Sequence, residues 1–579
     1  LLFKIMQVTP YKNKSLLLTA DISDPETFKT MGCFPSFSKW VGRSLAVKIT
    51  RLNVQHVVNN WPMADWIGGA QDTLEEHERM LGVSEELVTK KNQGAIIGDD
   101  GDYEYKREPM DHQRTAFLLS RERKAFALLM QQGTGKTKVT IDTACWLSQK
   151  SEIDGMIIVA WPNGVHRNWI EYELPADMSI PYDAVTWTPQ HKTIKKTAEL
   201  NKVLESEKFK VIAFNAEAFT SDAARYWIEK YLKSGRYLLC IDQSACIKNP
   251  TASRTKYLTK ISTLAPYKRI LDGQPVAEGA GELYSQFKFL DPWIIGHNSW
   301  TGFKSEFCRI GFFNEIVGYK NLGELHNRID GHCYRVLADD CLDLPERIYK
   351  MWNFQLSKGE RKIFDDLRSK DLAYFQGDKE EVLSEDGEVM EESLAIVKNM
   401  RLQQISSGWF KGEDELIKIN KSNPSRMEAL LSLIQANEGE KCLIFARFRA
   451  DLELIQEALG DKAVSFHGGI FSAERDEAKR KFMNDPNTLY FIGQPQTAGI
   501  GHTLTAAQHV IFYSNDPSLR LREECEKRAH RKGLKHTLHV WDLVAGETQD
   551  SKIITSLREK KVLSEQILQD PHSFFMCHE

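Results

Sequence analysis

The chain has no C-x-x-C pair: its ten cysteines stand singly, at Cys33, Cys145, Cys240, Cys246, Cys308, Cys333, Cys341, Cys442, Cys525 and Cys577. Without paired thiols there is no zinc site of the usual spacing and no dithiol redox couple, so the cysteines read as core thiols of an intracellular protein. His572, Cys577 and His578 lack a second ligand pair at useful spacing, which argues against a metal site near the end of the chain. No apolar run approaches the ~18 to 20 residues of a membrane span. A strong field of one sign is missing too: 76 Lys and Arg against 80 Asp and Glu leave a formal charge of -4. Nucleic-acid contact would therefore need a local basic surface. The first residue is Leu1 rather than Met, and Lys4 and Lys12 interrupt what would have to be the apolar centre of a secretion signal, so nothing readable directs export.

What is present is length and alternation. The 579 residues suggest roughly four folding units at ~150 residues each. Between Lys106 and about Pro292, apolar strands alternate with amphipathic helical stretches: Ala125 to Met130, Met156 to Ala160, Val211 to Phe214, Tyr237 to Ile241, and Arg269 to Leu271. A second series follows Ser425: Lys441 to Ala446, Ala463 to Phe466, Thr488 to Ile492, His509 to Tyr513, and Leu538 to Leu543. Strand-helix alternation predicts an α/β chain with two parallel-sheet lobes. The expected organisation is a small α+β accessory domain at 1–105, a first lobe at 106–292, a helical insertion at 293–425, a second lobe at 426–561 and a tail at 562–579. Gly98 to Asp102 reads as a linker, and the acidic stretch from Gln376 to Ser393 as a loop.

Two short patterns carry chemistry. Gln132-Gly133-Thr134-Gly135-Lys136-Thr137 follows the strand ending at Met130 and opens a helical stretch. In that context glycines let backbone N–H groups close on phosphate oxygens, Lys136 reaches the β/γ-phosphates, and Thr137 ligates Mg²⁺. Met130 occupies the slot of the first Gly of the strict pattern. Second, Tyr237 to Ile241 is a buried-strand run that delivers Asp242 at its C-terminal end, where a carboxylate can hold Mg²⁺ through water. Where a Glu would orient and deprotonate the attacking water, the chain has Gln243.

Asp242-Gln243-Ser244-Ala245-Cys246-Ile247-Lys248-Asn249 resembles the D-E-x-x-x-I-K-N box of SNF2-family ATPases, a branch of helicase superfamily 2. Further matches follow in family order: Gln113, Pro162-Asn163 with Asn168-Trp169, Pro275, Glu282-Leu283-Tyr284, Arg401 with Leu402-Gln403-Gln404-Ile405, Phe466-His467-Gly468-Gly469, Arg475 and Phe482, Gln496 to Ala507, and Arg528-Ala529-His530-Arg531. The set covers about Lys106 to Lys561, and its wording is similar to SNF2-like helicases of phages and bacteria. The resemblance implies an ATP- and Mg²⁺-using, DNA-dependent ATPase in the cytoplasm or nucleoid of a bacterial or phage-infected cell. ATP would lie between two RecA-like lobes. Gln113 would read adenine, and Gly133, Thr134, Gly135, Lys136, Thr137 and Gly501 would hold the nucleotide. Thr137 and Asp242 would take the metal. Asp242, Gln243, Arg528 and Arg531 would be the catalytic set, the two arginines stabilising charge on the γ-phosphate. Arg528 and Arg531 also read as part of a solvated basic helix, since Arg520, Arg522, Lys527, Lys532 and Lys535 surround them.

Arg167, Asn168, Arg447, Arg449 and Thr497 are family-position candidates for DNA contact, and each reads equally as a surface polar residue. At the N-terminus, Trp40-Val41-Gly42-Arg43, Thr50 to Asn53 and Trp61-Pro62 with Trp66 resemble the HARP-type module of annealing helicases, which binds branched DNA. Trp40 and Arg43 would be its contacts. A Trp-rich packing domain is the alternative. Several slots depart from the family wording: Gln131 for Glu, Gln243 for Glu, Asp272-Gly273-Gln274-Pro275 for T-G-T-P, His502 for an apolar residue, Glu524 for Gln, and Leu534 for Gln. They leave open an active double-stranded-DNA translocase, a non-hydrolysing ATP-gated clamp on DNA, and a strand-separating helicase.

Overall fold

Strand runs that are apolar at every position are needed where a sheet is covered on both faces. In Ala125–Met130, Phe126, Leu128 and Met130 join one buried cluster while Ala127 and Leu129 join another, and Gly155–Ala160 and Tyr237–Asp242 divide their side chains the same way. The computed structural model describes residues 6–11, 15–20, 25–32, 38–42, 44–49, 51–75, 78, 101–162, 164–189, 194–312, 314–369, 389–411, 416–419, 423–470, 472–498 and 503–568. Arg43, Asn163, Gly501, His502, most of the expected acidic loop and the end of the tail lie outside the described residues. The chain forms two compact units, Leu1–Cys341 with Leu563–Glu579, and Leu342–Val562.

The first unit is built on a seven-stranded, wholly parallel sheet in the order Cys333–Val336, Ala125–Met130, Tyr267–Leu271, Tyr237–Asp242, Gly155–Ala160, Phe209–Asn215, Tyr182–Thr186. A smaller five-stranded sheet near the N-terminus orders Ser38–Val41, Ser44–Lys48, Ser15–Thr19, Gln7–Tyr11 and Asp65–Trp66. Its own core holds Val8, Leu16, Leu18, Leu45, Val47, Val54 and Val57, with Trp61 and Trp66 packed against it.

The second unit carries a six-stranded parallel sheet in the order Arg347–Phe354, Leu538–Ala545, His509–Phe512, Cys442–Phe445, Tyr490–Gly493, Ala463–Phe466. Cys442 and Ile444 face one core and Leu443 and Phe445 the other, the same two-sided burial.

The α/β class with two parallel sheets is therefore the observed one. The divisions expected at 292 and 425 do not coincide with this partition. Cys333–Val336 lies past the first of them yet edges the first sheet, and Arg347–Phe354 lies before the second yet edges the other. Both are edge strands, so they carry polar residues such as Arg335 and Lys350 and lack the unbroken apolar run that marks a central strand. Tyr182–Thr186, also at an edge, escapes the pattern for the same reason. At the other boundary, Tyr103 belongs to the first unit's core: it is 5% exposed, its ring lies 5.0 Å from that of Phe117, and its hydroxyl donates to Asp142 Oδ1 at 3.0 Å.

Candidate active site

Three adjacent strands of the first sheet end side by side, because Asp242 pairs with Leu271 and Leu271 with Leu128. Their carboxyl ends carry the Gln131–Gly135 turn, Asp272 and Asp242. A parallel sheet collects chemistry at this edge because every strand points the same way and the loops leave together.

The turn after Met130 bends through two left-handed glycines, Gly133 at φ 86° and Gly135 at φ 92°. Gly135 precedes the helix Lys136–Gln149, and no side chain caps that end, which leaves the first-turn amides facing the loop. Lys136 curls into the turn, its Nζ donating to Met130 O at 2.8 Å and Gln131 O at 3.3 Å. An ammonium beside the uncapped backbone N–H groups of a helix N-terminus makes an anion cradle. Thr137 is half-buried in the first helical turn. Gln113 is buried with its Nε2 donating to Thr134 O at 3.1 Å, and His112 reaches the same carbonyl at 2.8 Å. A Cβ on Gly135 would fall 2.2 Å from Gln113 Nε2, so the glycine serves both its φ and this close approach.

Asp242 is buried, and burial raises its carboxyl above the ordinary range; the indole N–H of Trp169, donating to Oδ2 at 2.9 Å, and the charge of Lys136 act the other way, while Asp272 adds to the rise. Hard oxygen donors such as Thr137 Oγ1 and the Asp242 carboxylate suit Mg²⁺, which keeps several waters and takes few protein ligands. Gln243 follows at φ 63°, a left-handed conformation uncommon for a residue with a side chain.

Asp272 occupies a slot that the sequence marks as a departure, and the structure gives it partners. It is wholly buried; Oδ2 accepts from Ala245 N at 2.8 Å and from Ser244 Oγ at 3.4 Å, and Oδ1 from Gln274 N at 2.8 Å. Ser244 Oγ also donates to Gln286 Oε1 at 2.5 Å. Lys248 forms an ion pair with Glu282, whose other oxygen accepts from Ala277 N at 2.6 Å. Ser244, Asp272, Gln286 and the Lys248–Glu282 pair thus tie the turn after Asp242 to the segment after Leu271. None of these bonds has a sequence signature, although both segments could be found from the strands that precede them. Trp169 was legible only as a pattern match, since its role depends on reaching Asp242 from 73 residues away.

Arg167 and Asn168 are exposed on the short helix Val165–Asn168. Trp40 is 38% exposed on its edge strand.

In the second unit, Arg447 follows the strand Cys442–Phe445. Its guanidinium donates to Gln403 Oε1 at 2.5 Å and lies 3.7 Å from Asp516, while its N–H meets Ser514 Oγ at 2.8 Å. Arg449 is exposed and lies over Gly469, where a Cβ would be 3.2 Å from its guanidinium; Thr497 Oγ1 would be 3.8 Å from a Cβ on Gly468. Arg449, Thr497 and the Gly468-Gly469 turn therefore share the carboxyl edge of this sheet. On the helix Leu519–Ala529, Arg520 pairs with Glu524 and Arg522 with Glu526. Arg528 is fully buried with Nε donating to Glu524 O at 2.9 Å, and burial pulls its guanidinium down to about 10. Arg520, Arg522 and Arg528 are all buried, so this is not the solvated basic helix that the run of cations suggests; Arg531, just past the helix, is half-buried.

Two family models match the chain. Residues 111–407 match the SNF2-related domain, and 425–533 match the helicase conserved C-terminal domain. Among curated proteins, mouse "Chromodomain-helicase-DNA-binding protein 1-like" is 23% identical over 76% of this chain and 47% of its own length. Mouse "DNA annealing helicase and endonuclease ZRANB3" is 24% identical over 74% and 38%, and the Bacillus subtilis "Putative ATP-dependent helicase/translocase YwqA" 25% over 57% and 35%. The chain thus spans less than half the length of these relatives. A solved Sulfolobus solfataricus SWI2/SNF2 ATPase core in complex with dsDNA aligns at 21% identity and a TM-score of 0.37, over 81% of this chain and 94% of that one. Among the described residues, no helix is long and apolar enough to cross a membrane.

Proposed function

The chain belongs to the SNF2-related helicase family, and from that premise we propose that it is an ATP-driven translocase on double-stranded DNA. The carrying observation is the shared strand edge of the first sheet, where the Gly133–Gly135 turn with Lys136, the buried Asp242 and the Asp272 network stand on three neighbouring strands. Lys136 and the uncapped amides bind and orient the β/γ-phosphates, and Gln113 stiffens the turn through Thr134 O. Thr137 and Asp242 would hold Mg²⁺, which would supply charge neutralisation on the phosphates. Gln243 orients the attacking water, and Arg528 and Arg531 act on the γ-phosphate. Arg167, Asn168, Arg447, Arg449 and Thr497 track DNA phosphates, while the N-terminal segment, through Trp40 and Arg43, adds preference for branched DNA.

Gln243 supports a second reading, an ATP-gated clamp that binds without turning over. A side-chain amide can hydrogen-bond water but cannot accept its proton at neutral pH. Phosphate release with and without duplex DNA separates the two, DNA-stimulated release favouring the translocase. Lys136→Ala tests the site itself: affinity for a fluorescent ATP analogue should fall at least about tenfold, since a charge-assisted contact to phosphate is lost. Unchanged affinity would sink the assignment.

A further inference from the structure

Outside the nucleotide site, the described residues of the first unit include an exposed apolar hairpin tip. The antiparallel hairpin Cys308–Ile310 with Ile316–Tyr319 pairs Cys308 with Tyr319 and Arg309 with Gly318, then shifts register before Ile310. Beyond the shift its side chains face solvent: Ile310, Ile316 and Val317 are exposed, and Phe312 is 96% exposed. Apolar groups grouped at one tip are costly to leave in water and mark an interaction surface.

The root of the hairpin is fixed. Cys308 and Phe307 are buried in the first unit's main cluster and Tyr319 packs against it. The Tyr319 ring fills the space beside Gly279, where a Cβ would fall 2.1 Å from its hydroxyl, and that hydroxyl bonds the backbone of Gly281. These glycines lie in the segment between Gln274 and Glu282, which the Asp272 and Lys248–Glu282 contacts tie to the turn after Asp242. At the tip, Gly311 N donates to Glu315 O at 2.9 Å, and Asn314 sits at φ 62°. Cations flank it, with Arg309 and Lys320 exposed and Lys304 beside Asn314 at 3.3 Å; Glu315 is the one acid in the tip turn.

We propose that this hairpin is a DNA wedge, with Phe312 stacking against a nucleobase at a duplex junction and Arg309 and Lys320 on the adjoining phosphates. An exposed aromatic ring with flanking cations matches the two chemistries a nucleic acid offers together, a π-face and a backbone anion. A protein partner would match the apolar tip but would not call for the cations. The wedge rests on the reading of DNA as the polymer this chain engages. Its root joins the ATP-site segments, so a base held at the tip is mechanically connected to the Asp272 network through residues of one unit.

The test uses the full chain and a forked oligonucleotide with 2-aminopurine at the junction. Wild-type protein should raise the 2-aminopurine fluorescence as the neighbouring base unstacks. Phe312→Ala should abolish the rise and weaken fork affinity about tenfold, leaving plain-duplex affinity and melting temperature unchanged, since the residue is solvent-exposed. Phe312→Trp should restore the signal, and Arg309→Ala should reduce the slope of fork affinity against salt by about one unit. An undiminished fluorescence rise in Phe312→Ala would overturn the wedge while leaving the translocase reading intact. Absence of any duplex affinity in the wild type would overturn the translocase reading and the wedge with it. A mass by light scattering that halves on Phe312→Ala would assign the tip to pairing between copies of this chain, against the wedge.

Discussion

Gln243 and Asp272 make a pair that neither position explains alone. Ionisation of Asp242 is opposed first by burial and also by the charge of Asp272. A Glu at 243 would bring a third carboxylate to the same strand edge, so Gln243→Glu by itself should raise phosphate release only slightly. Combined with Asp272→Thr, whose hydroxyl can still accept from Ala245 N, the gain should reach the ~10² or more that a positioned base supplies. Steady-state phosphate release at saturating duplex DNA checks this. Full recovery in Gln243→Glu alone would show that Asp272 does not limit the site, and robust turnover in the unmodified chain would show that another group performs the base role, removing the clamp reading. The two departures were visible as letters, but their coupling through Ser244 and Ala245 was not, because those bonds join positions 27 to 28 residues apart.

Among the elements, the helix Arg449–Leu459 carries a titratable anchor. Asp451 is fully buried in its first turn, accepting from Trp409 Nε1 at 2.7 Å and Ser514 Oγ at 2.9 Å. Burial pushes its carboxyl up from 3.8 to about 6 despite those bonds. A folded-state value above the unfolded one means that the contribution is fully present below about pH 4 and is lost as pH rises through 6; the difference corresponds to about 3 kcal/mol. Asp451→Asn keeps the acceptor for Trp409 and removes the titration. Urea midpoints of the wild type should therefore fall relative to the variant between about pH 4 and pH 7. Parallel profiles would show that Asp451 does not titrate in that window. An apolar run flags the strand before this helix, yet nothing local distinguishes Asp451 from an ordinary first-turn acid, since its burial is created by Trp409 and Ser514 from other elements.

Across the chain, the N-terminal sheet has a core of its own, but the segment joining it to the first parallel sheet does not divide where composition suggests. Tyr103 packs on Phe117 and bonds Asp142. Removal of residues 1–100 should lower the preference for forked over plain duplex DNA while keeping DNA-stimulated phosphate release. Removal of 1–105 should in addition lower the melting temperature, because loss of a buried aromatic costs about 3 kcal/mol or more. Equal loss of fork and duplex affinity on the shorter deletion would assign the N-terminal sheet to packing rather than recognition.

The central strands, the glycine turn after Met130 and the placement of Asp242 were all readable from letters, because each is written within one short stretch. Two-sided burial demands an unbroken apolar run, and a phosphate-type turn demands glycine where φ is positive. The family, too, was legible, since its motifs occur in order along the chain. The edge strands Arg347–Phe354 and Cys333–Val336, the burial of Arg528, the partners of Asp272 and the apolar tip at Phe312 emerged only with folding. An edge strand is defined by which neighbour it pairs with, and a side chain is buried or exposed according to what other elements place over it. Such information lies in contacts between distant segments, which local periodicity and spacing do not encode.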